Sequence, residues 1–265
     1  MDDKITNKGL VRVEILKEIA SQKNYDYKHY GFSLYNQLNR IIEKEAEIHS
    51  VLMEETDKGC TNPETFKKIL KIDHANLKEA AKYAIPNFKG FMSLAYIENV
   101  GKLVEPEQNQ CGFRRKIDSD TISSFGRVTI GGATITPPAP EKIVGEFERF
   151  IGESQSLDNI VEKAVHAHFH LARVHPFFDG NGRTARLVQN AILMYGLYPP
   201  IVIKKEERSE YSALLDDAVS SYHYNDRNLM EEQCKFYDYL ASKIKDSFKE
   251  IDKTIIKKLD IENKR

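Results

Sequence analysis

The chain has 265 residues, enough for one or two domains with a sizeable core. With 41% hydrophobic and 30% charged residues it is neither collagenous nor broadly disordered. Its 39 Lys plus Arg against 40 Asp plus Glu leave a formal charge of −1, so no general field draws it onto nucleic acid or anionic lipid. Any anion must be held by a local cluster of donors.

Three scattered cysteines, Cys60, Cys111 and Cys234, draw neither a disulfide framework nor a CxxC metal site, which points to a reducing, cytoplasmic setting. The acidic start Met1-Asp2-Asp3-Lys4 has no apolar run behind it, so no secretory signal is expected. The longest uncharged apolar stretch, Ala191 to Ile203, is shorter than the ~20 residues of a membrane span and is interrupted by Pro199-Pro200. No membrane anchor is expected.

In chain order the texture suggests three regions: a helical amino-terminal part over 1–100, a core over 101–227 and a helical extension over 228–265. Leu34, Leu38, Ile41, Ile48, Val51 and Leu52 recur at steps near three and four, predicting a helix from Ser33 to about Glu55. Asn62 or Thr61 can cap a second helical stretch, roughly Pro63 to Val100. Between Gly101 and Pro140 the composition turns to Gly, Ser, Thr and Pro. Alternation around Gly131-Gly132, with Val128, Thr129, Ile130, Ala133, Thr134 and Ile135 flanking them, predicts a β-hairpin. Helical periodicity returns over Ile143 to Ile151, Leu157 to Val174, Arg183 to Tyr195, Glu207 to Val219 and the charged run from Asn228 to Leu259. The expected class is mainly α, a helical bundle with one small hairpin.

Chemistry concentrates in His175-Pro-Phe-Phe-Asp-Gly-Asn-Gly-Arg-Thr-Ala-Arg186, a polar loop between two apolar helices. Pro176 disfavours helical dihedrals at His175 and so ends the first helix there. Gly196, a good left-handed terminator, ends the second. A helix that starts at Gly180-Asn181-Gly182 exposes unpaired N–H groups to an oxyanion, with no Cβ in the way at the glycines. Arg183 and Arg186, three positions apart, add forked donors suited to phosphate. Asp179 would repel bare phosphate, but it becomes useful if it holds Mg²⁺ between two phosphate groups. His175 is neutral near pH 7 at its ordinary pKa of ~6.5 and can take a proton from a hydroxyl. Gly180 to Ala185 also satisfies G-x-G-x-x-A, but that dinucleotide fingerprint follows a strand, whereas this run follows a helix. His166 and His170, four apart, lack the intervening glutamate of a zinc-protease helix and read as core or surface histidines.

The segment His175 to Arg186 resembles the Fic family signature HxFx(D/E)GNGRxxR at every defining position. The resemblance extends through Gly112-Phe113-Arg114-Arg115, the Gly131-Gly132 hairpin with Pro137-Pro138 after it, Asn190, Arg208 and Tyr211, covering roughly Gly101 to Tyr224. It implies a helical Fic fold that transfers AMP from ATP onto a Ser, Thr or Tyr hydroxyl of a target protein. His175 would be the base and Asp179 the Mg²⁺ ligand. Gly180, Asn181 and Gly182 would fix the α- and β-phosphate oxygens, Arg183 would hold the β-phosphate and Arg186 the γ-phosphate. Phe177 would anchor the loop, and Asn190 and Tyr211 would line the adenosine pocket. The hairpin over residues 128–135 would dock an extended target segment by main-chain hydrogen bonds. Gly182 argues against the relatives that carry lysine there and phosphorylate instead.

Many Fic proteins are silenced by a helix bearing [ST]xxxE[GN], whose glutamate pairs with the second motif arginine. Ser50-Val-Leu-Met-Glu54 supplies its core, with Glu55 where Gly or Asn is usual. Ser50 and Glu54 share one helical face, so Glu54 is placed to neutralise Arg186. Two other functions fit the same residues: a nucleotide-binding interaction module with little turnover, and an enzyme that uses Glu54 to remove AMP. Self-modification and homo-oligomer formation are both compatible with the resemblance, whereas nucleic-acid and membrane partners are not expected.

Overall fold

The apolar stripe read from Ser33 onward belongs to a longer element. In the computed structural model, which describes residues 9–54, 62–114, 137–224 and 231–262, helix α1 runs Val13–Leu52. It bends at Gly31, whose φ of 71° and ψ of 161° a residue with a Cβ rarely adopts, so the expected helix is the second arm of a kinked pair. The arms bury Ile15 and Ile19, then Tyr35, Leu38, Ile42 and Ala46.

Helix α2, Pro63–Asn87, starts where its cap predicts: Asn62 Oδ1 accepts from the N–H groups of Glu64 (2.9 Å) and Thr65 (3.2 Å). The helix expected to continue to Val100 instead stops. Gly90 turns the chain at φ 86°, pressed so closely on the Tyr195 ring that a Cβ would clash. Ser93 then caps α3, Leu94–Val104, by accepting from Tyr96 N–H at 3.1 Å. The helical stretch expected from Pro63 to Val100 is thus two helices.

After a short 3₁₀ turn, Pro140–Lys142, helix α4 occupies Ile143–Ser156. Asn159 caps α5, Ile160–Val174, so the boundary between α4 and α5 falls several residues beyond the expected end at Ile151. Helix α6 spans Asn181–Tyr195. A second 3₁₀ turn, Lys205–Glu207, leads to α7, Arg208–Tyr224, and α8 covers Glu231–Glu262. The terminator of α6 differs from expectation. Gly196 has φ −79°, and the left-handed residue is Leu197 at φ 60°. Gly196 is needed for space instead, because a Cβ there would lie 2.7 Å from the Ile160 side chain.

Helices α5 and α6 pack on one another at the centre of the molecule, and almost every residue of both is buried. Around them α2 pairs with α3, α7 with α8, and α1 crosses α2, α6 and α8. Phe147, Phe150, Phe169, Phe236 and Tyr237 fill the interior around α5, each contributing ~1.5–3 kcal/mol by leaving water. Gly101 is where α3 meets the motif, since the Phe177 ring lies within 2.1 Å of where a Cβ would stand. The hairpin expected over residues 128–135 lies outside the described residues, among which no strand is found. Among the described residues no helix is long and apolar enough to cross a membrane.

Candidate functional site

The motif loop joins the two most buried helices, so its backbone is held from both ends. His175 caps α5 in the left-handed region at φ 50°, a strained position for a residue with a Cβ. Arg114 stabilises that bend: its N–H donates to Pro176 O at 2.8 Å, its Nε to His175 O at 2.8 Å, and Nη2 to Val174 O at 3.3 Å and to Pro138 O. The last carbonyls of α5 are thereby satisfied by a guanidinium. Asn181 clips the loop shut, its side chain accepting from Phe177 N–H at 2.9 Å and donating to Phe177 O at 3.0 Å. Its side-chain amide is thus spent on the loop. Phe177 points inward against Phe113, as expected.

Asp179 is pinned by the fully buried Asn109, which donates to Asp179 O at 3.0 Å and accepts from its N–H at 3.5 Å. Its carboxylate accepts from Gly180 N–H at 2.7 Å, yet the side chain stays 39% exposed toward the cleft. Gly180 caps α6 at φ 73°. A Cβ there would meet Val104 at 2.8 Å, so glycine serves both dihedral and space. Asn181, Gly182 and Arg183 then form the first turn of α6, whose N–H groups have no partner within the helix.

A cleft of about 810 Å³ opens here, within the range of small-molecule sites. His175, Asp179, Gly180, Asn181, Gly182, Arg186, Arg208 and Tyr211 line it from the motif side, and Glu54, Ile72, Asp73 and Glu105 from the other. Burial lowers the His175 pKa to about 4; a hydrogen bond to the Ala172 backbone and the charge of Asp179 oppose the shift, while Arg114 adds to it. The ring is a free base at neutral pH. Tyr211 is buried, with its hydroxyl 2.8 Å from His168 Nε2. Asn190 is not brought to the cleft wall; its amide is spent on Ile201, donating to O at 3.0 Å and accepting from N–H at 2.8 Å.

The two arginines are occupied. Arg186 Nε donates to Ser50 Oγ at 2.8 Å, and its Nη2 donates to Ser50 O at 2.9 Å and to Glu54 Oε1 at 3.0 Å. Glu54 Oε2 lies 2.6 Å from Arg183 Nε, so one carboxylate bridges both guanidiniums. A Cβ on Gly182 would lie 3.2 Å from Glu54 Oε1, which makes that glycine part of the fit. Arg183 is 0% exposed, with Asp73 at 3.3 Å from Nη1, and Glu105 at 2.9 Å and Asp179 at 3.5 Å from Nη2. Burial opposes its charge, but Glu54, Asp73, Asp179 and Glu105 outweigh it and hold its pKa above the usual value. Asp73 and Glu105 went unread in the sequence. Asp73 sits four residues from both Ile69 and Leu77, on the apolar stripe of α2, where a carboxylate implies a buried partner. Glu105 lies just past α3 and carries no comparable sign.

His166 and His170 converge on Glu153, whose Oε2 lies 3.5 Å and 4.0 Å from their Nε2 atoms. The surroundings do not suit a cation. Arg173 Nη2 faces His170 Nδ1 at 3.2 Å, Arg149 Nε lies 3.6 Å from Glu153 Oε1, and His166 Nδ1 has no acceptor to orient it. A hydrogen-bonded aromatic cluster fits these atoms better.

An unprotonated imidazole, an open carboxylate, the Arg186 guanidinium and a helix N-terminus meet around one cleft of a mainly helical protein. The comparisons give that class a family. The Fic/DOC family model matches residues 42–193, more than half of the sequence, and the chain belongs to that family. It is 42% identical over 89 residues to "Protein adenylyltransferase Fic" of Drosophila persimilis, a stretch covering 32% of this chain and 17% of that protein. The like-named protein of Nematostella vectensis is 40% identical over 86 residues, 31% of this chain and 20% of its own length. These matches therefore span a fifth or less of the curated relatives. A Fic-domain-containing signalling protein from Bacteroides thetaiotaomicron shares the fold at TM-score 0.65 and 18% identity, over 89% of this chain and 96% of its own. Fic-1 of C. elegans does so at 0.64 and 21%, over 92% and 73%.

Proposed function

We propose that the protein transfers AMP from ATP to a hydroxyl of a protein target, and that the form described above is self-inhibited. The observation that carries this reading is Glu54, one carboxylate set against both motif arginines where phosphate oxygens would bind. Family membership and the names of the curated relatives support the class of reaction.

His175, a free base at neutral pH, takes the proton of the acceptor hydroxyl as that oxygen bonds to the α-phosphorus. The bond from the α-phosphorus to the bridging oxygen breaks on the opposite side, and pyrophosphate leaves. The N–H groups of Asn181, Gly182 and Arg183 hold phosphate oxygens at the α6 N-terminus, and Arg186 orients the terminal phosphate once Glu54 withdraws. Asp179 fits a magnesium ligand, since its carboxylate opens to the cleft while Asn109 holds its backbone. Magnesium there would neutralise charge on two phosphate groups. Tyr211 forms the cleft wall proposed for the nucleoside; Asn190, tied to Ile201, would act by holding that wall's support.

The test uses α-labelled ATP, Mg²⁺ and a cell extract. The Glu54→Gly variant labels protein more strongly than the parent, and adding His175→Ala cuts that labelling by ~10²-fold or more. Equal labelling by the parent and the Glu54→Gly variant refutes the inhibitory role. Labelling undiminished without His175 refutes the mechanism.

A further inference from the structure

Building on the AMP-transfer reading, we propose that Asp73 is a second inhibitory carboxylate, independent of Glu54, and that Glu105 is the residue that positions Arg183 for phosphate. Three nitrogens of one fully buried guanidinium each face a carboxylate: Glu54 at Nε, Asp73 at Nη1 and Glu105 at Nη2. Their geometries differ. Glu105 makes an aligned hydrogen bond at 2.9 Å, whereas Nε and Nη1 are buried donors whose carboxylates lie at ion-pair distance without alignment. A phosphate oxygen could satisfy those two donors better than the present partners do.

Withdrawal of Glu54 frees only Nε. Asp73 stays 3.3 Å from Nη1 on the wall of the same cleft. With Glu54 withdrawn, Asp73, Glu105, Glu107 and Asp179 remain around the cleft, more carboxylates than the guanidiniums of Arg183, Arg186 and Arg208. The charge of Asp179 is useful to a metal, and that of Glu105 is spent on holding the guanidinium plane. Asp73 makes no aligned hydrogen bond to Arg183 Nη1 and lines the cleft that would receive the triphosphate. Asp73 comes from α2 and Glu54 from the turn after α1, so the two brakes sit on different elements and can be released separately.

The experiment measures KM for ATP in AMP transfer by Glu54→Gly, with and without Asp73→Asn or Glu105→Gln, and calorimetric binding of Mg·ATP to the same proteins carrying His175→Ala. Asp73→Asn should lower KM and Kd about 10-fold, and Glu105→Gln should raise both about 10-fold. Opposite shifts at two carboxylates on one guanidinium would not arise from general destabilisation, and Asp73→Ser serves if Asp73→Asn melts early. A KM and Kd unchanged or raised by neutral substitution at Asp73, or lowered at Glu105, overturns the proposal. If Glu54→Gly binds Mg·ATP but transfers nothing, the catalytic reading fails while the binding arm still decides the role of Asp73. If it binds no nucleotide, both fall.

Discussion

The two walls of the cleft are built in opposite ways. The α5–α6 wall places His175, Asp179, Gly180, Asn181 and Gly182 within one short loop, locked by Asn181 on Phe177, Asn109 on Asp179 and Arg114 on the end of α5. The facing wall draws Ser50 and Glu54 from the end of α1, Asp73 from α2 and Glu105 from beyond α3. Neighbours in sequence build one wall, and residues from distant parts of the chain build the other. The first wall depends on one loop conformation, whereas the second depends on how three elements pack. Substitutions on the first wall should therefore abolish activity, and those on the second should tune it.

The sharpest break comes from His175→Ala in the Glu54→Gly background, where loss of the base should cost ~10²–10⁴ in the rate of AMP transfer measured at saturating ATP. Ser50→Ala tests the facing wall. It removes the acceptor of Arg186 Nε while Ser50 O stays, so closure should weaken by about 1 kcal/mol and the otherwise wild-type chain should transfer AMP roughly fivefold faster. An unchanged rate would mean that Ser50 does not help hold the closed state.

The pH profile sharpens the comparison without a substitution. Because burial lowers the His175 pKa to about 4, the base stays unprotonated from pH 8 to pH 6, and protonation removes it only as pH falls toward 4. Transfer by Glu54→Gly should be nearly flat over the upper range. A fall centred near pH 6.5 would contradict the lowered pKa of the ring.

The smallest effect lies outside the cleft, on α1. Burial, joined by repulsion from Glu43, raises the Glu47 pKa to about 7, so folding disfavours its charged form. Its protonated state is native-compatible below the unfolded value near 4.5, and the cost of ionisation grows as pH rises from there to about 7. Glu47→Gln should raise Tm by a few degrees at pH 8 and by less at pH 5. Equal shifts at both pH values would remove this explanation.

Most helices were legible because a buried stripe repeats at 3.6 residues and because Asn62, Pro63 and Pro176 announce ends by chemistry that acts over one turn. The break between α2 and α3 was not read, although the buried stripe of α2 (Leu77, Ala81, Ala84) and that of α3 (Ile97, Val100, Val104) fall on opposite helical phases, and the close approach of Gly90 to Tyr195 is a contact of the folded chain. At Gly196 the residue type suggested a left-handed dihedral, but crowding by Ile160 explains the glycine and Leu197 makes the turn. Pairing of Glu54 with Arg186 was expected from the motif's resemblance, whereas its contact with Arg183 was not.

By itself the sequence determined a helical chain and the local parts of the proposed site, because a loop between two helices and the N–H groups at a helix start are set by residues within a few positions of one another. Only the tertiary structure decided that Arg183 is enclosed by four carboxylates, that Asn181 and Asn190 spend their amides on backbone, and that one glutamate spans both arginines. Those contacts join residues up to 132 positions apart, and no periodicity or spacing encodes which buried charges will meet once helices pack.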